Sequence, residues 1–203
     1  MPENITSGEN NLESIVLGSG DVFATEFTGT IPEDNIIETD ENNLGYVSGG
    51  ASIEYKVTTY TAKDDYNRVQ KTIVTDEEAT MKSGIMTWNG NTLAKLSSTA
   101  RVTETATKRT VKIGGVGNDN GKDYLIRFLH KDPVDGDVRL TIVGKNEAGF
   151  TLAFAKDKET VVDAEFKAKP CDSDGTLIIY EEEIKQTTNE ATNEATNEAT
   201  GGN

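Results

Sequence analysis

A mainly β domain of antiparallel sheets, sandwich- or barrel-like with one short flanking α-helix, is what this chain of 203 residues predicts. Three observations carry the expectation. Apolar residues recur with a period of two along most of the chain, Asn, Asp and Gly cluster between those runs, and only one stretch has helical spacing. The length between the polar ends supports one domain with a real core, expected over residues 12–184.

The first eleven residues are polar and are expected to form a flexible N-terminus. Ser14–Leu17 and Asp21–Phe27 flank a Gly-Ser-Gly turn and read as strands. Residues 28–49 then run without a clear element, which is long for a loop in a compact domain. This loop mixes Ile31, Pro32, Ile36, Ile37, Leu44 and Tyr46 with Glu33 and other acidic residues, a mixture expected of a segment that orders by packing on a surface. That surface is either another subunit or its own domain.

Ser52–Thr61 alternates Ile53, Tyr55 and Val57 against Glu54, Lys56 and Thr58, so it predicts a strand; Val69–Thr75 and Ala79–Met86 predict two more. Thr87–Ala100 is the helical exception, with Leu93 and Leu96 three apart behind Asn91 as a cap. Tyr124, Ile126 and Phe128 share one strand face. Beyond them, Asp135-Gly136 is a hairpin signal leading into Asp137–Lys145. Gly149–Ala155, with Phe150, Leu152 and Phe154 on one face, and Val161–Lys169 extend the meander. In the latter, Val162, Ala164 and Phe166 oppose Asp163, Glu165 and Lys167. Thr176–Tyr180 closes it. Residues 185–203 carry a Thr-Asn-Glu-Ala repeat with no large apolar side chain, and predict a disordered tail.

Composition narrows the function. The net charge of -15 argues against affinity for nucleic acid, which needs Lys and Arg to displace counterions. Nothing approaches the roughly 18 consecutive apolar residues of a membrane span. The opening residues lack the basic and apolar regions of a secretory signal, so synthesis in the cytoplasm is expected, and the lone Cys171 allows no internal disulfide.

Catalytic constellations are not legible. His130 continues the Tyr124, Ile126 and Phe128 face and reads as a strand-end histidine, and one His with one Cys makes a zinc site improbable. Ser97 and Ser98 have no histidine near them in sequence. The glycines of residues 112–121 lack phosphate-loop spacing. Asn118 to Asp123, and Asp172 to Gly175, echo calcium loops but lack the distal Glu and suit hairpin turns equally. No enzyme activity, cofactor or metal is therefore expected.

The succession LGSGDVFATEFTGTIPED, LGYVSGGASIEYK, MKSGIMTWNGNTL, RTVKIGG, KDYLIRFLHKD and GFTLAFAKDKETVVDAEFKA resembles the major tail, or tail tube, proteins of long-tailed, siphovirus-like phages of Gram-positive bacteria. The resemblance runs from about Leu12 to Ile184 and does not extend to the repeat tail. It implies a β-sandwich-like tube fold and a subunit that assembles into hexameric rings. Stacked rings would form a conduit for DNA ejection in a virion tail. The implied partners are other copies of the chain, a tape measure protein, and tail terminator and distal tail proteins; DNA would pass without specific binding, and no membrane is involved. On this reading Ile31, Pro32, Glu33, Ile36, Ile37, Leu44 and Tyr46 are expected at subunit contacts, and Asp163 and Glu165 are candidates for an acidic lumen lining that repels phosphates. The competing reading is a monomeric β-sandwich binding module, for example one recognising cell-surface carbohydrate.

Overall fold

The computed structural model describes residues 20–184 apart from 135, 153, 155, 158 and 159. The expectations for Ser14–Leu17, for the N-terminal eleven residues and for the 185–203 tail lie outside the described residues, as do parts of the Asp135-Gly136 turn and of Gly149–Ala155.

The chain is mainly β and antiparallel, as its alternation predicts. In order it forms β1 (Asp21–Glu26), α1 (Asp34–Ile37), β2 (Val47–Lys63), β3 (Gln70–Ile85), α2 (Gly90–Lys95), β4 (Arg101–Glu104), β5 (Arg109–Lys112), β6 (Tyr124–His130), β7 (Val138–Asn146), β8 (Val162–Lys169) and β9 (Ile179–Glu182). The main sheet runs β1-β6-β7-β8-β3-β2, with β9 added to the start of β7; β4 and β5 form a separate hairpin.

This sheet curls. Asn42 and Leu44 exchange backbone hydrogen bonds of 2.8 Å with Ala24 and Val22 on the β1 margin, and the same stretch then enters β2 on the opposite margin. One continuous segment therefore runs from one margin of the sheet to the other and draws the two together at that end, while β1 and β2 themselves stay unpaired. Inside lie Val22, Ala24, Met81, Ile126, Ile142 and Phe166, plugged by Leu44 and by Leu96 after α2. Each of these side chains larger than Ala24 contributes about 1.5–3 kcal/mol by leaving water. A smaller apolar cluster covers the other face of β1 and β6, with Phe23, Leu125, Leu129, Val143 and Ile37.

Several expectations need correction. Residues 28–49 are not one structureless loop: they contain α1, the bridging segment and the start of β2. Ile37 (0% exposed) and Leu44 (1%) lie in the domain's own two cores, so they are not available to a neighbouring subunit while the domain is folded. The two strands expected at Val69–Thr75 and Ala79–Met86 are parts of a single strand, β3 (Gln70–Ile85), whose period is broken by a bulge at Thr75 opposite Thr58 and Thr59. The helix is only Gly90–Lys95. Its cap is Asn89, which accepts from the backbone of Asn91 and Thr92 while the Thr92 hydroxyl takes the Asn89 N–H. The described residues of Gly149–Ala155 are not a strand. The Asn146 amide donates to the Gly149 carbonyl at 2.7 Å and turns the chain away, leaving β8 to pair with β7. Phe150 and Leu152 still pack on the core, whereas Phe154 is exposed, 6.3 Å from the Trp88 ring. The closing strand sits slightly later than expected, at Ile179–Glu182.

Candidate assembly surface

The outstanding surface comes from β2 and β3. They are 17 and 16 residues long, but β8 pairs with β3 only from Thr80 to Ile85. Among the described residues, Tyr55–Lys63 and Gln70–Ala79 therefore pair only with each other, and up to ten residues of extended strand project about 30 Å as a two-stranded ribbon. A two-stranded ribbon is only marginally stable alone in water.

Register sorts its side chains. Opposed residues in an antiparallel pair point to the same side, so Tyr55, Val57, Thr59 and Val74 continue the face that carries Ile53 and Met81 into the core. At its root Tyr55 and Glu77 line a cleft with Gly175–Ile178; further out nothing among the described residues covers this face, and Val57 and Val74 are exposed. The other face is charged and self-paired: Lys56 bridges Glu54 at 3.0 Å and Lys167 bridges Glu78 at 2.8 Å, with the Tyr60 and Ile73 pair beyond them.

Local chemistry stiffens the ribbon. Tyr55 donates a 2.5 Å hydrogen bond to Glu77, which raises the phenol's pKa above its ordinary value. The Thr61 and Thr72 hydroxyls meet at 2.9 Å. At the tip, Asp64 accepts from the Val69 backbone N–H and from the side chain and backbone of Arg68, and these bonds hold its pKa below its ordinary value. Arg68 then lies over the Tyr66 ring, 5.0 Å from its centre, and the tip presents Tyr66 (78% exposed) and Val69 (71%) to solvent. At the root, Gly49 and Gly50 form a two-residue bulge with φ of 80° and 76°, backbone that side-chain-bearing residues rarely adopt.

The other expected site residues are scattered. Ile31, Pro32, Glu33, Ile36 and Tyr46 lie on the segment around α1; Ile31, Ile36 and Tyr46 are exposed large hydrophobics. Asp34 and Glu38 of that segment are occupied by Arg127 and Arg139. Asp163 is exposed on β8 opposite Gly84, and Glu165 is half-exposed and ion-paired to Lys82 at 3.0 Å, which raises the Lys82 pKa. Both acids line a shallow cleft of about 430 Å³ between Gly49–Ser52 and residues 148–151. The structure thus brings Asp163 and Glu165 together on one sheet face but leaves them apart from α1. Sequence reading found the strands of the ribbon but not its projection.

Among the described residues, no group of three or more His, Cys, Asp or Glu is placed to hold a metal ion, and no helix is long and apolar enough to cross a membrane. Fold and surface together define a class: an antiparallel, mainly β domain that extends a two-stranded ribbon from its curled sheet. No protein-family model and no curated protein matches the chain.

Proposed function

We propose that this protein is a structural subunit that self-assembles into hexameric rings stacked as a phage-type tail tube, a conduit through which DNA leaves a virion. One observation carries the self-assembly reading: among the described residues, the β2–β3 ribbon has both strand edges unpaired for up to ten residues and, beyond Tyr55, an uncovered face bearing Val57 and Val74. Open edges and apolar faces are a liability in a monomer, and joining another chain removes both. The hexameric, tubular form of the assembly rests on the sequence resemblance. In that setting the tape measure, tail terminator and distal tail proteins are the expected partners.

The acidic balance suits the role, since a wall of like charge does not retain DNA phosphates. Exposed Ile31, Ile36 and Tyr46 offer a second contact to a neighbouring subunit.

The test is to compare the full chain with a variant in which Thr59–Thr75 is replaced by an Asn-Gly turn joining the paired Thr58 and Asp76. Electron microscopy and sedimentation of the full chain are expected to reveal rings or tubes, and the shortened chain to stay a folded monomer. A full chain that is monomeric at every concentration overturns the proposal in favour of a β-sandwich binding module, and tubes from the shortened chain overturn the ribbon's part in it.

A further inference from the structure

The β4–β5 hairpin is basic on an acidic protein. Arg101–Lys112 contains Arg101, Lys108, Arg109 and Lys112 against a single Glu104, while the chain as a whole carries -15. Register divides these charges. Glu104 faces Arg109 and neutralises it through two hydrogen bonds of 3.1 Å. Arg109 and Val111 turn inward, close against Gly90 of α2. The opposite face therefore carries Arg101 directly across from Lys112, with Lys108 in the turn.

Among the described residues no carboxylate lies within ion-pair distance of Arg101, Lys108 or Lys112. Like charges directly opposed on a hairpin are destabilising, so an external anion would relieve this one. Apolar surface lies beside them, at Ile113 and the almost fully exposed Val116.

Position points to the occupant. The hairpin hangs from the end of the sheet where β6 begins and β7 ends: the Asn120 N–H donates to the Ser98 carbonyl at 2.8 Å, and the Asn146 amide donates to the Leu96 carbonyl at 3.0 Å. At the far end, where β6 ends and β7 begins, β9 pairs Glu182 with Val138, and Glu183 accepts the Asp137 N–H at 3.3 Å. Glu182 and Glu183 are exposed, with no cation within ion-pair distance among the described residues. The nine residues of β7 hold the two ends about 30 Å apart, so the basic hairpin cannot reach the acidic end of its own copy.

We infer that the outer face of the β4–β5 hairpin, through Arg101, Lys108 and Lys112, docks on the Glu182–Glu183 end of a second copy of this chain. The two surfaces are unlike and lie at opposite ends, so the contact is head-to-tail and repeats from copy to copy. It deepens the self-assembly reading, on which it rests, by naming an electrostatic contact separate from the ribbon. A second copy is favoured over DNA because the complementary charge is already present on the chain.

Three variants test it: R101E/K112E, E182K/E183K and all four substitutions combined, each checked for native circular dichroism and compared with wild type by sedimentation. Each double variant is expected to raise the concentration needed for assembly about tenfold, and the four-fold swap to restore it. Wild-type assembly is expected to weaken as salt rises from about 0.05 to about 0.5 M. Assembly of R101E/K112E at wild-type concentrations overturns the inference while leaving the proposed function standing, as does a folded four-fold swap that stays unassembled. Wild-type retention of duplex DNA that R101E/K112E loses, with assembly unchanged, overturns it in favour of nucleic acid. A wild-type chain that never assembles removes both readings.

Discussion

Arg139 holds Glu38 with two hydrogen bonds, 2.7 and 3.3 Å long, and so ties β7 to the turn that ends α1. Arg127, only 2% exposed, reaches the same carboxylate at 3.3 Å, as well as Asp34 and, at 3.4 Å, Glu181. Its Nε also donates to the Thr141 hydroxyl at 2.9 Å. Two guanidiniums thus fasten α1 to the sheet and draw β9 against it.

Removing Glu38 leaves the Arg127 charge buried with fewer partners, and breaking a buried pair from one side is costly. Glu38→Gln is expected to lower unfolding stability by about 3 kcal/mol, read from the urea midpoint at constant slope.

The α1 segment separates into buried and exposed residues, and stability should separate them too. Leu44→Ala, in the sealed core, is expected to cost about 2–5 kcal/mol, whereas Ile36→Ala should change stability by less than about 0.5 kcal/mol. Thermal melts of the two variants check this. Deleting Ile31–Tyr46 should unfold the domain, because the deletion takes Ile37 and Leu44 with it.

Gly45 combines a φ of 129° with a close approach: a Cβ there would collide with the Thr87 carbonyl oxygen. Gly45→Ala is expected to destabilise by about 3 kcal/mol and to loosen the junction between Tyr46 and Thr87, where backbone meets hydroxyl at 2.7 Å. Denaturant unfolding measures the first effect and hydrogen exchange at Tyr46 the second.

Asn89 caps α2 with its side-chain oxygen, and Asn89→Ala should cost about 1 kcal/mol. Asn91→Ala, two residues too late to cap, should cost clearly less in the same chemical-denaturation series.

The ribbon tip should be acid-sensitive. Asp64 has a lowered pKa when folded because the Val69 backbone N–H and the Arg68 side chain bind its ionised form, so its contribution is complete above the ordinary carboxylate range and disappears as pH falls below about 4. Protection of the Arg68 and Val69 amides, measured as exchange relative to the intrinsic rate at each pH, is expected to fall through that window. In Asp64→Asn the loss of protection should be present already at neutral pH.

Much of the sheet was legible because alternation of side chains is a property of each strand by itself. Val162, Ala164 and Phe166 announce β8, and Tyr124, Ile126 and Phe128 announce β6, whatever lies opposite. Alternation says nothing about whether a second layer covers the apolar face, so Tyr55 and Val57 read like any half-buried strand. The Thr75 bulge further disguised β3 by shifting its period midway. The α1 segment left its packing surface open for a different reason: the partners of Asp34 and Glu38, Arg127 and Arg139, lie about ninety residues or more away in sequence. The β4–β5 hairpin has few apolar residues, and charge hid its short alternation.

One margin of the sheet is taken, since Asn42–Leu44 lies along β1, while among the described residues nothing pairs with the outer margin of β2. Two copies meeting there in antiparallel fashion would be related by a two-fold axis, and such a twin has no bare β2 margin left on either side. It would be a dead end that withdraws subunits from a growing polymer. The Glu54 and Lys56 side chains on β2 make that coupling more costly than a plain apolar edge would. Selection on this strand would then act against the wrong symmetry as much as for the right contact.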